Sequence, residues 1–196
     1  VILYLTRYLK KTRDIGVRFS PNSEKGFECY CDADFSGNWN KSLAPVDPST
    51  AKSRSGWIIF YAGCPVCWAS KLQTQVALST TKAEYIAMSM ALRDVIPVMN
   101  LIKEIKSKGF SVICNKPHVY CKVFEDNSGA LELARLPKLR PRTKHINVCY
   151  HHFREHVRLG LIKVLPISTE DQIADALTKP LSQNAFCKHR RFICGA

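Results

Sequence analysis

Four acids carry the chemistry open to this chain: Asp32, Glu84, Asp126 and Asp175. Asp32 closes the first strand-like stretch. Glu84 stands in the opening turns of the longest helical stretch. Asp126 ends a later strand, and Asp175 falls in the first turns of a helix expected after the last strand. Carboxylates at strand ends and helix starts can converge at one edge of a sheet, where they repel one another when ionised. A hard divalent cation such as Mg2+ takes oxygen ligands, keeps some water and relieves that repulsion. Two such ions would clamp a scissile phosphate, one generating hydroxide and the other stabilising the leaving oxygen. Asp34 shares the strand face of Asp32, so spacing alone does not choose between them. Glu84 also has a plainer reading, as a cap of its own helix.

The elements that must position these acids follow from periodicity. From Ser79 to Ile105 the apolar residues Ala87, Ala91, Val95, Val98, Ile102 and Ile105 recur at helical spacing. Hydroxyl residues open that stretch, and Thr81 with Glu84 fits a capping box. Pro97 lacks a backbone donor, so a kink or break is predicted near Ile96. In GFECYCDADF, Phe27, Cys29 and Cys31 alternate with Glu28, Tyr30, Asp32 and Asp34, as in a strand. Residues 38–54 read as a loop. SGWIIFYAG and PVCWASKL read as a hairpin. HVYCKVFEDN is a strand, and Asn127 can cap a helix over SGALELARL. LPKLRPRTKH is a basic loop. INVCYHHFREHVRLG is predicted as a helix stopped by Gly160, followed by a strand, LIKVLPI. Thr169 and Gln172 are predicted to open a helix over EDQIADALTK. The result is an α/β layer with mixed strand directions.

Length and composition narrow the partners. A chain of 196 residues can bury a full core. Its net charge of +13 calls for an anionic partner such as nucleic acid. No uninterrupted apolar run reaches membrane-spanning length and no signal peptide is visible, so no membrane is expected. The nine cysteines are scattered, which reads as reduced core thiols in a cytoplasmic setting. The first residue, Val1, suggests a piece of a longer chain.

Six motifs in order carry a family resemblance: YCDADFSG, KSRSGWIIF, WASKLQTQVALSTTKAEYIA, FEDNSGALELA, RTKHINVCYHHFREHV and IADALTKPL. From about Cys29 to Leu181 the chain resembles the ribonuclease H domain of Ty1/copia-type retrotransposon Pol polyproteins. The resemblance implies a ribonuclease H-like fold, a five-stranded mixed sheet flanked by helices. It implies endonucleolytic cleavage of RNA in RNA–DNA hybrids with two Mg2+ ions, Mn2+ being a substitute, and no small-molecule cofactor. Asp32 would be the shared ligand of both metals. Glu84 and Asp126 would hold the metal on the leaving-group side, and Asp175 the metal that activates water. Ser79, Thr80, Asn127, Ser128, Arg142, Lys144 and His145 would contact nucleic acid, with Asn127 a candidate for the 2′-hydroxyl. Lys138 and Arg140 join that basic segment on charge alone. Residues 1–20 would be the tail of the preceding reverse transcriptase segment, 27–181 the ribonuclease H domain, and 182–196 a basic helix or tail. The reverse transcriptase portion of the same polyprotein would be a partner, and retrotransposon particles in the cytoplasm the setting. Many ribonucleases H carry a His before the last acidic helix; the loop here reads PISTED and resembles the copia group in having none.

Two patterns compete for a functional role. His152-Phe153-Arg154-Glu155-His156 matches the HxxEH pattern of inverted zinc proteases, but a zinc site needs a third ligand and a cleft. Cys64-Pro65-Val66-Cys67 is a lone CxxC without a second pair, and structural thiols at a hairpin turn are the better reading. The rival to a nuclease is a non-catalytic remnant that only grips nucleic acid.

Overall fold

The fold is built on a five-stranded mixed sheet in the order β3-β2-β1-β4-β5. The structure is a computed structural model that describes residues 2–112, 119–136 and 148–195. Its strands are β1 (Phe27–Asp34), β2 (Arg54–Tyr61), β3 (Cys64–Leu72), β4 (Cys121–Glu125) and β5 (Ile162–Pro166), and its helices are α1 (Ile2–Lys11), α2 (Thr80–Ser107), α3 (Ser128–Arg135), α4 (Arg154–Arg158) and α5 (Gln183–Cys194). The hairpin runs antiparallel beside β1, while β1, β4 and β5 are parallel. Tyr30 pairs with Phe124 across the parallel β1–β4 ladder. Asp32 and Asp126, each two residues further on, therefore reach the same edge of the sheet.

The alternation in β1 divides the interior as the sequence predicts. Phe27, Cys29 and Cys31 face α2 and the main core, while Tyr30 joins Ile58 and Phe60 on the other face. There α5 closes over them through Phe192, whose ring meets Tyr30 and Phe60 edge to face. Four alanines, Ala33, Ala77, Ala83 and Ala87, form a small-residue seam that lets the start of α2 approach β1 closely. Gln73 donates to the Ser55 hydroxyl and to the Ala83 carbonyl at 2.9 Å each, fixing that approach.

Several local expectations are corrected. Helix α2 runs unbroken for 28 residues with Pro97 inside it. Pro97 lies on the exposed face, so water can serve the carbonyl it leaves unbonded, while Val95 and Met99 stay buried in the core. The cap of α2 is Ser79, which accepts from the Lys82 N–H, rather than Thr81 with Glu84. Length and composition would let α2 cross a membrane, but its apolar face is core. The helix predicted over residues 146–160 is in its described part only a 3-10 turn, Val148–His151, and the five-residue α4. Tyr150 from the 3-10 turn and Phe153 from the start of α4 both pack into the core. Gly160 does end α4, with φ 71°. The helix predicted over EDQIADALTK is two short 3-10 turns, Thr169–Asp171 and Ile173–Leu177. Gln172 separates them because its buried amide donates to the Cys31 carbonyl at 2.9 Å and the Phe124 carbonyl at 3.3 Å. Helicity is given up there for bonds that tie the segment to the sheet.

Gly56, paired with Asp32 across β1–β2, is where that segment packs closest. A Cβ at Gly56 would lie 2.7 Å from Thr178 Cγ2 and 2.8 Å from Leu177 Cβ. Gly56→Ala is expected to destabilise the fold by about 1–3 kcal/mol, since overpacking forces the backbone to move. Thermal denaturation checks this; each kcal/mol lowers Tm by roughly 2–4 °C in a chain of this size.

Candidate active site

Asp32, Glu84 and Asp126 each offer an oxygen such that the three atoms lie within 4.8 Å of one another. Strand β1 supplies Asp32, the first turns of α2 supply Glu84, and the residue after β4 supplies Asp126. Asp32 is 1% exposed and Glu84 7% exposed, so burial opposes their ionisation. Asp126 is only half-buried. The 3-10 turn Ile173–Leu177 brings the Asp175 carboxyl against that of Asp32.

Lys179 bridges those two acids. Its ammonium lies 3.0 Å from Asp175 Oδ1 and 3.7 Å from Asp32 Oδ1. The Thr178 hydroxyl donates to Asp32 Oδ2. Burial raises the Asp32 carboxyl, with Thr178 and Lys179 pulling it back down and Asp126 adding to the rise. Burial and then Asp32 push Asp175 up to about 7. Burial works against the Lys179 charge, but Asp32 and Asp175 outweigh it and hold its ammonium above the ordinary lysine range.

Glu84 stands well above the ordinary carboxylate range. Burial, then Glu125, Asp32 and Asp126, push it up to about 10, against a bond from the Ala33 backbone. Its Oε2 is buried and has no hydrogen-bond partner among the described residues. An orphaned carboxylate oxygen beside two further carboxylates is a poor protein interior and a good hard-cation site. The donor set is all oxygen and partly open to solvent through Asp126, which suits Mg2+ or Mn2+ rather than a closed thiolate-type zinc site. The gap between Asp32 and Asp175 already accepts one positive charge, that of Lys179.

Comparison with known proteins gives the chain its relatives. No protein-family model matches it. It is 34% identical over 187 residues, 95% of its length, to the retrovirus-related Pol polyprotein from transposon RE2 of Arabidopsis thaliana. It is 35% identical over 189 residues, again 95% of its length, to the Pol polyprotein from transposon TNT 1-94 of Nicotiana tabacum. The chain is a homologue of copia-type transposon Pol polyproteins. It spans only 12% and 13% of the length of those two relatives. Among solved structures its fold is shared with LC11-RNase H1, isolated from compost by a metagenomic approach, at TM-score 0.52 and 16% identity, covering 83% of this chain and 96% of that one. The chain thus has the ribonuclease H fold.

Around the acids of this chain, the remaining sequence candidates take several places. Ser79 and Thr80 are exposed at the start of α2, and Ser128 is exposed at the start of α3. Asn127 caps α3 by accepting from the Ala130 N–H at 3.0 Å, and also accepts from the Thr81 hydroxyl at 3.3 Å. Arg142, Lys144 and His145, with Lys138 and Arg140, lie outside the described residues. Asp34 is not part of the trio; its carboxylate folds over Gly37, where a Cβ would lie 1.7 Å from Asp34 Oδ2.

Among the described residues, neither competing pattern forms a metal centre. Within HxxEH, Glu155 pairs with Arg158 at 2.6 Å and His152 faces the Ser89 hydroxyl at 3.4 Å. Among the described residues, the only metal-capable group of three is the acidic trio. Cys64 and Cys67 are free thiols within β3 rather than on the turn, and Cys64 is buried. Sequence reasoning missed Thr169, Thr178, Lys179 and Glu125. Thr178 and Lys179 were present in the IADALTKPL motif, three and four residues after the acid. Thr169 donates to Asp126 Oδ2 at 2.9 Å, a contact across 43 residues with no local signal.

Proposed function

We propose that this segment is an endonuclease that cleaves the RNA strand of RNA–DNA hybrids during reverse transcription of its element. The observation that carries this reading is the meeting of Asp32, Glu84 and Asp126, with Asp175 held against Asp32 across Lys179. Two Mg2+ ions, or Mn2+ in their place, would supply Lewis-acid polarisation of the phosphate and an ionised water. Asp32, central in the cluster, would serve both ions. Glu84 and Asp126 would hold the side on which the leaving oxygen departs, and Asp175 the side from which water attacks. Thr178 and Lys179 orient Asp32 and offset its charge.

The substrate is met by the starts of two helices. Backbone N–H groups at a helix start favour phosphate. Ser79 and Thr80 at α2, and Asn127 and Ser128 at α3, flank the acids and would hold phosphates of the hybrid. Asn127, next to Asp126 in the chain, would contact a 2′-hydroxyl. Arg142, Lys144 and His145 would add to the electrostatic grip that a charge of +13 provides. Water attacking in line, with the 3′ oxygen leaving, gives a 5′-phosphate and a 3′-hydroxyl. The reverse transcriptase portion of the same polyprotein would deliver the hybrid.

A 5′-labelled hybrid incubated with the protein and Mg2+ tests the reading. The expected result is internal cleavage of RNA by the unmutated protein, and hybrid binding without cleavage by Asp126→Asn. Tight binding by the unmutated protein with no cleavage would establish the non-catalytic alternative.

A further inference from the structure

The role of Glu125 is not explained by the four acids. It is the last residue of β4 and is 0% exposed. Strand alternation turns it to the α2 side with Cys121 and Val123, behind the trio rather than within it. A buried carboxyl is costly unless its oxygens are bonded, and both of them are. Oε1 accepts from the Asn127 N–H at 3.1 Å. Oε2 accepts from the Cys31 thiol at 3.5 Å.

The first bond closes over Asp126. It spans from residue 125 to residue 127, so the Asp126 peptide units are fixed on both sides. The second bond ties the same side chain to β1, one residue before Asp32. The Glu125 carbonyl accepts from the Ile167 N–H at 3.1 Å, and the segment after Ile167 delivers Thr169 to the Asp126 carboxylate. Asn127, held from below, carries the connection on to Thr81 in the first turn of α2. One buried side chain therefore joins the strand that carries Asp32 to the segment that carries Asp126, and Asn127 links that segment to the helix that carries Glu84.

We infer that Glu125 is a positioning residue that sets the cation-binding geometry of Asp126 and Asp32 through its two hydrogen bonds, without itself binding the cation. The inference rests on the metal-binding reading of the trio. What matters in it is the pattern of bonds, not the charge. Glutamine keeps an acceptor for the Asn127 N–H and places an amide against the Cys31 sulfur. Alanine removes both contacts.

Calorimetric titration of hybrid-free protein with Mn2+ tests this without any turnover. Glu125→Ala is expected to weaken Mn2+ binding by about 10-fold or more, the usual cost of removing a group that orients metal ligands. Glu125→Gln is expected to bind Mn2+ like the unmutated protein. Circular dichroism establishes that each variant is folded. If Glu125→Ala does not fold, Glu125→Gln decides alone. A folded alanine variant with undiminished affinity overturns the inference. So does a folded glutamine variant that loses about 10-fold, the loss expected for a disturbed metal site, because it would show that charge is what counts. Unmutated protein that binds Mn2+ but leaves a hybrid intact would end the nuclease reading while leaving this one standing.

Discussion

Asp32→Asn is expected to lower hybrid cleavage by about 1,000-fold or more, since the cation charge held at that carboxylate is worth several kcal/mol at the transition state and each 1.36 kcal/mol is tenfold. Asn keeps the size of the side chain and an acceptor for the Thr178 hydroxyl, so the local packing survives. What it removes is the charge shared between the Glu84–Asp126 side and the Asp175 side. Hybrid binding should stay near that of the unmutated protein, because the phosphate contacts proposed for the helix starts are untouched. Asp34→Asn is the matched control. Its carboxylate lies over Gly37 and outside the trio, so cleavage should remain close to normal. Loss of cleavage in Asp34→Asn with activity retained in Asp32→Asn would reverse the assignment of the first ligand.

The second large effect concerns stability without metal. Glu84 is pushed up to about 10 and Glu125 up to about 8, both from an ordinary 4.5, and Asp175 up to about 7 from 3.8. For all three, burial is the largest cause and neighbouring acids add to it. Between the unfolded and folded values the native state holds more protons than the unfolded chain, so stability falls as pH rises. The stability these groups contribute is complete below about pH 4 and is lost progressively through pH 7 to 10. Metal-free protein in a chelator should therefore melt several degrees lower at pH 8 than at pH 5, each kcal/mol being worth roughly 2–4 °C. His189 works the other way near its ordinary 6.5, because burial lowers it. It is one group against four, since burial raises Asp32 as well. Mg2+ should restore more stability at pH 8 than at pH 5, since cations and protons compete for the same oxygens. Glu84→Gln should flatten the pH dependence and raise the metal-free Tm at pH 8, while abolishing cleavage. A metal-free Tm that rises from pH 5 to pH 8 would contradict the perturbed cluster.

Much of this was legible in the residues themselves. Period-two alternation placed Phe27, Cys29 and Cys31 on one face of β1, and period 3.6 placed Ala87, Ala91 and Val95 on the buried face of α2. Those two patterns bring Asp32 and Glu84 to the same edge. Local patterning failed where a distant contact decided the conformation. Gln172 bonds the Cys31 carbonyl across 141 residues and interrupts a helix that its own neighbours favour. The predicted helix before Gly160 is likewise shortened, in its described part, to a 3-10 turn and the five-residue α4. Pro97 was overrated as a breaker because nothing in the sequence says that its freed carbonyl faces water. Glu125 was passed over because alternation sends it away from Asp126; its bonds to Cys31 and Asn127 are visible only once β1 and β4 are paired.

The most direct measurement is anomalous scattering from crystals of the protein soaked in Mn2+ with a bound hybrid. The account expects two peaks about 3.5–4 Å apart, one contacted by Asp32, Glu84 and Asp126 and the other by Asp32 and Asp175, with Lys179 moved aside. Manganese bound elsewhere, or a single peak that leaves Asp175 paired with Lys179 while hybrid is cleaved, would contradict it.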